Sequence, residues 1–114
     1  MKTADLIDKI VALALSKKAQ NIIILDLKKI TEIFDSFIIF SSTSSRHVKI
    51  LTDYIAEELK KDKIKPLSRE GSPQSGWVLL DYGDVVIHIF LEETRNFYQI
   101  ERLFKDAKMT KIES

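Results

Sequence analysis

Residues 76–91, GWVLLDYGDVVIHIFL, read as two strands joined at a turn. Two apolar runs flank Asp81-Tyr82-Gly83-Asp84, and a glycine set between aspartates is the chemistry of a tight reversal. With Tyr82 and Gly83 at the turn, Asp81 faces Asp84, Leu80 faces Val85, Leu79 faces Val86, Val78 faces Ile87 and Trp77 faces His88. Strand alternation then sorts the side chains. One face carries Val78, Leu80, Val85, Ile87 and Ile89, which suits a core. The other carries Trp77, Leu79, Val86, His88 and Phe90, with two carboxylates at its tip. A face meant for water is polar, and one meant for a core has no need of a histidine and two aspartates, so this second face reads as a docking surface. Opposed Asp81 and Asp84 destabilise the hairpin somewhat, which fits the approach of a basic partner. A slip of one residue would exchange the faces.

Beyond the hairpin, Glu92-Glu93-Thr94 begins a last helix in which Phe97, Ile100, Leu103 and Phe104 form an apolar stripe. Residues 105–114, KDAKMTKIES, are expected to fray into a tail. Upstream, 71–76 is a loop, and 66–70 is a short edge strand because proline is tolerated at a strand start or edge. The hydroxyl run 41–45 caps a helix over 45–60 whose buried face is Val48, Leu51, Ile55 and Leu59. Apolar, β-branched runs at 22–27 and 37–41 read as buried strands around a turn at 30–35, and 3–18 has helical spacing with Asp5 first and Lys17-Lys18 last. The expected fold is α/β (α+β), a single mixed sheet of about five strands with helices mainly on one face.

The chain has 114 residues, 45% hydrophobic and 31% charged, which suits one domain over 1–114. It contains no cysteine, so disulfides and thiolate metal sites are excluded together and a reducing, cytoplasmic location is expected. No apolar run reaches the roughly 18 residues that span a bilayer, and the charged N-terminus is unlike a signal peptide. With 18 Lys and Arg against 17 Asp and Glu, the net charge of +1 gives little basis for direct nucleic-acid binding by counterion release. Affinity for an RNA-rich assembly would come mainly from protein contacts.

Three enzymatic readings are available from the residues. Ser and Thr at 41–45 followed by Arg46 and His47 resemble an anion cradle or nucleophile site, but the glycines that let backbone approach a nucleotide are missing and a helix cap accounts for the run. Asp81 and Asp84 could hold Mg²⁺ as in nucleotidyl transfer, yet no Gly-Ser phosphate loop precedes them. His88 could be a base or ligand, but His47 is the one other histidine. Trp77 would be core packing in a different register, and Arg95 and Tyr98, three apart, can share a helix face.

Several strings together resemble the ribosomal silencing factor family, the Iojap-like proteins. They are Asp35-Ser-Phe-Ile-Ile, Ser-Ser-Arg-His-Val ending at position 48, Glu70-Gly71, the hairpin from Gly76 to Phe90, and RNFYQIERLFKD over 95–106. Ser42 stands where that family commonly has glycine, and Phe104 where tryptophan is usual. The resemblance implies a nucleotidyltransferase-like fold without the catalytic set, hence no enzyme, cofactor or metal. It implies binding to the large ribosomal subunit through ribosomal protein fourteen, which blocks joining of the small subunit and represses translation under nutrient limitation. The contacts it implies are Trp77, Asp81, Tyr82, Asp84 and His88, joined by Glu70, Arg95 and Tyr98. A Mg²⁺-dependent nucleotidyltransferase-like enzyme and a general RNA-binding module are the alternatives. A homodimer of the free protein through the same apolar face is left open.

Overall fold

Apolar spacing at helical period builds two helices, α1 (Thr3–Ser16) and α2 (Ser45–Lys61), in a computed structural model that describes residues 1–113. At the start of α2 the Ser44 hydroxyl accepts from the His47 N–H at 3.1 Å, and Lys60 and Lys61 sit at the negative end of its dipole. Its buried face is Val48, Leu51, Thr52, Ile55 and Leu59, with the Thr52 hydroxyl satisfied by donating to the Val48 carbonyl at 2.7 Å.

Six strands form one sheet: β1 (Gln20–Asp26), β2 (Ser36–Ser42), β3 (Ser68–Ser72), β4 (Trp77–Asp81), β5 (Val85–Leu91) and β6 (Lys108–Lys111). Their spatial order is β3-β4-β5-β2-β1-β6, and β2 with β5 is the parallel pair in an otherwise antiparallel, hence mixed, sheet. Helices α1 and α2 cover one face, burying Ile10, Ala14, Val48, Leu51, Ile55 and Leu59 against Ile38, Phe40, Val78, Leu80, Val85, Ile87 and Ile89. The hairpin face expected to enter the core does so.

Five expectations are corrected. The hairpin turns at Gly83-Asp84, not Tyr82-Gly83, so Trp77 lies opposite Phe90 and Asp81 opposite Val86. Gly83 adopts φ +89, its N–H donates to Asp81 Oδ1 at 2.7 Å, and the Tyr82 N–H donates to the Val85 carbonyl at 2.9 Å; these local bonds fix the shifted turn. Asp81 and Asp84 therefore never oppose one another. The residues expected to fray contain β6, which pairs with the otherwise unpaired edge of β1. The last helix breaks: α3 (Glu92–Tyr98) ends at Gln99 in the left-handed region (φ 45), and a 3₁₀ turn, Ile100–Phe104, follows. The edge strand is displaced to 68–72.

The fifth correction concerns the second sheet face. Most of it is a second core, in which Ile23, Leu25, Phe37, Ile39, Val86 and Phe90 are buried beneath Ile100, Phe104, Ala107 and Phe34. Only its β3–β4 end is left without a cover.

Candidate functional site

At that uncovered end, alternation puts Trp77, Leu79 and Asp81 of β4 on one face, beside Ser72, Glu70 and Ser68 of β3. Two glycines shape the ground around Trp77. A Cβ on Gly71 (φ +80) would collide with the Trp77 carbonyl, and one on Gly76 (φ +82) with the Thr94 side chain, so the 72–76 loop can lie against the first turn of α3. The Leu91 N–H donating to the Gly76 carbonyl at 2.8 Å fixes that approach. The end of α3 consequently meets β4.

Trp77, half-buried, stacks on Phe90 (centroids 4.8 Å apart, 29° between planes) and touches Tyr98 at 5.1 Å. Phe97 stands edge-on to Tyr98 at 5.0 Å and is 80% exposed. An open concavity of about 290 Å³ lies here, lined by Glu70, Gly71, Ser75, Trp77, Leu79 and Tyr98. The arrangement has an aromatic floor anchored in the core and a carboxylate at its lip. It can accept an apolar or aromatic side chain with a basic neighbour.

His88 is not on this surface. It is 4% exposed and packs with Phe37 edge-on at 4.5 Å and parallel to Phe90. Its Nδ1 accepts from the Trp77 indole N–H at 3.2 Å, which assigns the proton of the neutral ring to Nε2, and Nε2 is buried without a partner. Burial pushes its pKa down to about 4.

Arg95 and Tyr98, expected to share a face, diverge. Arg95 reaches away from Trp77, donating from Nε to Glu101 (2.8 Å) and from Nη1 to the Asn21 carbonyl (2.6 Å) and Ser41 Oγ (3.2 Å). It is a clamp that ties α3 and the 3₁₀ turn to β1 and β2. Tyr82, at the turn, packs toward the α1–α2 core; its hydroxyl is buried and unpartnered, and burial raises its pKa to about 12. Asp81 shares the face of Trp77 but lies four residues along β4, about 13 Å away at strand rise. Asp84 is exposed, and its carbonyl accepts from the Asp35 and Ser36 N–H groups at 2.8 and 3.1 Å.

Of the eight expected residues, the structure brings together Trp77, Glu70 and Tyr98 at the concavity, sets His88 beneath them, and separates Arg95 and the Asp81-Tyr82-Asp84 tip. Phe97 and Leu103, expected in an apolar core stripe, are exposed. The helix ends at Tyr98 and the chain turns at the left-handed Gln99, so the stripe is broken and only Ile100 and Phe104 reach the second core.

The hydroxyl run at 41–45 is built into the fold. Ser42 is fully buried, with its hydroxyl 2.5 Å from His47 Nδ1, while His47 Nε2 donates to the Lys17 carbonyl at 2.7 Å. That chain of bonds pins the end of α1 to the start of α2 and gives Ser42 a partner that a glycine would lack. Among the described residues no group of three or more His, Cys, Asp or Glu could hold a metal ion, and no helix is long and apolar enough to cross a membrane.

Against known proteins, a family model described as "Ribosomal silencing factor during starvation" matches residues 1–114. The chain is 33% identical over 97 residues to "Ribosomal silencing factor RsfS" of Bacillus subtilis, covering 85% of this chain and 82% of that protein. It is 32% identical over 101 residues to the mouse "Mitochondrial assembly of ribosomal large subunit protein 1", covering 86% of this chain and 44% of the longer relative. A crystal structure of a Chromobacterium violaceum protein superposes with a TM-score of 0.88 at 31% identity, covering all of this chain and 95% of that one.

Proposed function

Because the chain belongs to the ribosomal silencing factor family, we propose that it binds the large ribosomal subunit in the cytoplasm and keeps the small subunit from joining. The partner on the subunit is ribosomal protein fourteen, at the surface where the small subunit docks. Occupying that surface represses translation by steric exclusion when nutrients are scarce. The observation that carries the site is the half-exposed Trp77, held between Phe90 and Tyr98 at a concavity edged by Glu70. Interfaces draw most of their affinity from a few aromatic anchors in such pockets, with charged groups at the rim setting encounter.

Trp77 is the anchor, Leu79, Tyr98 and Phe97 its apolar surround, and Glu70 the nearer rim charge. Asp81 and Asp84 extend the acidic rim to the hairpin tip and attract a basic partner in a salt-dependent way. The same patch, left open in the free protein, supports self-association as a homodimer that the ribosomal partner would displace.

Sedimentation of separated subunits through sucrose gradients tests this. The protein is expected to co-migrate with large subunits alone and to suppress joined ribosomes when small subunits are added. Trp77→Ala should lose about 2 kcal/mol of binding, roughly thirtyfold, and restore joining. Wild-type protein that binds neither subunit, or a Trp77→Ala variant that binds as well as wild type, would overturn the reading.

A further inference from the structure

We infer that His88 is a positioning residue for partner binding: it is held below the docking surface and fixes the orientation of the Trp77 indole through the Nε1–H···Nδ1 hydrogen bond. The inference rests on the docking role proposed above for Trp77. Stacking on Phe90 and contact with Tyr98 set the plane and depth of the indole but leave it free to flip within that plane, because both neighbours present only carbon faces. A directional acceptor on one side removes that freedom. His88 supplies it from β5, where it lies opposite Leu79 and diagonal to Trp77, with the two ring centroids 6.0 Å apart. The imidazole is itself immobilised, wedged edge-to-face on Phe37 and parallel to Phe90.

The orphaned Nε2 makes the case sharper. A residue placed here only to fill the second core would be apolar, since Ile39, Phe37, Val86 and Phe90 surround the position and a buried N–H without a partner is costly. The polar ring is accounted for by its other nitrogen, whose single partner is Trp77. An anchor held in its bound orientation before encounter loses less side-chain entropy on binding.

Trp77 is the only tryptophan in the chain, so one indole N–H resonance reports its hydrogen bond without ambiguity. Two substitutions separate positioning from packing. His88→Leu keeps apolar bulk and removes the acceptor; His88→Asn keeps an acceptor oxygen at the Nδ1 position and loses bulk. The expected result for His88→Leu is an upfield shift of the indole proton and roughly three- to tenfold weaker binding to isolated large subunits, with thermal stability equal to or above wild type. For His88→Asn, the resonance and affinity should return to within about twofold of wild type despite a lower melting temperature. Affinities that instead follow stability, with His88→Leu binding like wild type and His88→Asn binding worse, would overturn the inference. A difference between wild type and Trp77→Ala with no effect of His88→Leu rejects the role of His88 alone. Equal binding by wild type and Trp77→Ala rejects the docking role and the inference together.

Discussion

Acidification should destabilise this protein through one buried ring. His88 ordinarily titrates at 6.5 and is pushed to about 4 in the folded chain, with burial alone as the cause and no carboxylate beside it to compensate. As pH falls through 6.5 the unfolded chain takes up a proton there and the folded chain does not, so stability present above 6.5 is lost progressively toward 4. The full gap corresponds to about 3 kcal/mol, of which about 2.5 kcal/mol is lost between about pH 7.5 and about pH 4.5. Asp53, held below the usual carboxylate range by hydrogen bonds from Lys49 and Arg69, contributes in the same direction but only below its ordinary value of 3.8, outside that window.

Urea denaturation followed by Trp77 fluorescence at stepped pH measures the slope, and subtracting the curve of His88→Leu isolates the contribution of His88. The wild-type curve should fall by about 2.5 kcal/mol relative to the variant across the window. Parallel curves would mean that His88 takes up its proton as readily in the folded chain as in the unfolded one, and the account of a buried imidazole that stays neutral below its ordinary pKa of 6.5 would fail.

Arg95→Met leaves Glu101 without its cation and unties α3 from β1 and β2, so denaturant unfolding should show a loss of about 3 kcal/mol; a loss under about 1 kcal/mol would dismiss the clamp. Gly71→Ala, forced into φ +80 and against the Trp77 carbonyl, should cost at least about 2 kcal/mol and weaken hydrogen-exchange protection in β3. Tyr82→Phe removes a buried hydroxyl without a partner and should gain about 1 kcal/mol at neutral pH. Because the folded-state pKa of Tyr82 is raised from 10.0 to about 12, the wild type should also lose stability as pH rises through that interval, and the Phe variant should lack that loss.

The hairpin shows what the sequence could and could not reveal. Its faces were legible despite the wrong turn, because the register slipped by two residues and side-chain orientation repeats every two. The slip arose because Gly83 can serve as either central residue, and the choice is made by the Asp81 carboxylate capping the Gly83 N–H. β6 was illegible for a different reason: all four of its residues are exposed at a sheet edge, so no apolar alternation marks them. His88 lies on the face that strand alternation predicts, but that face is core only because the chain reverses at Gln99 and sets Ile100 and Phe104 over it. No local pattern encodes that contact. Gln99 itself carries no glycine or proline to announce a left-handed residue.

Unequal coverage of the sheet explains why an aromatic was left at the surface where it is. Six strands spaced by about 4.8 Å make a sheet about 24 Å across between its outer strands, while a helix with its side chains is about 10 Å wide. Two long helices span one face. The other has α3, seven residues, and a short 3₁₀ turn, enough for the β1-β2-β5 centre and no more. The shortfall falls on β4 and β3, and β3 meets it with Ser68, Glu70 and Ser72, side chains that need no cover. Trp77 sits on the boundary, its inner side supported by Phe90 and His88 and its outer side beside a polar strand. A rigid apolar group with a charged rim is the composition in which protein interfaces concentrate their affinity, and the anchor proposed here would follow from helix lengths and strand spacing.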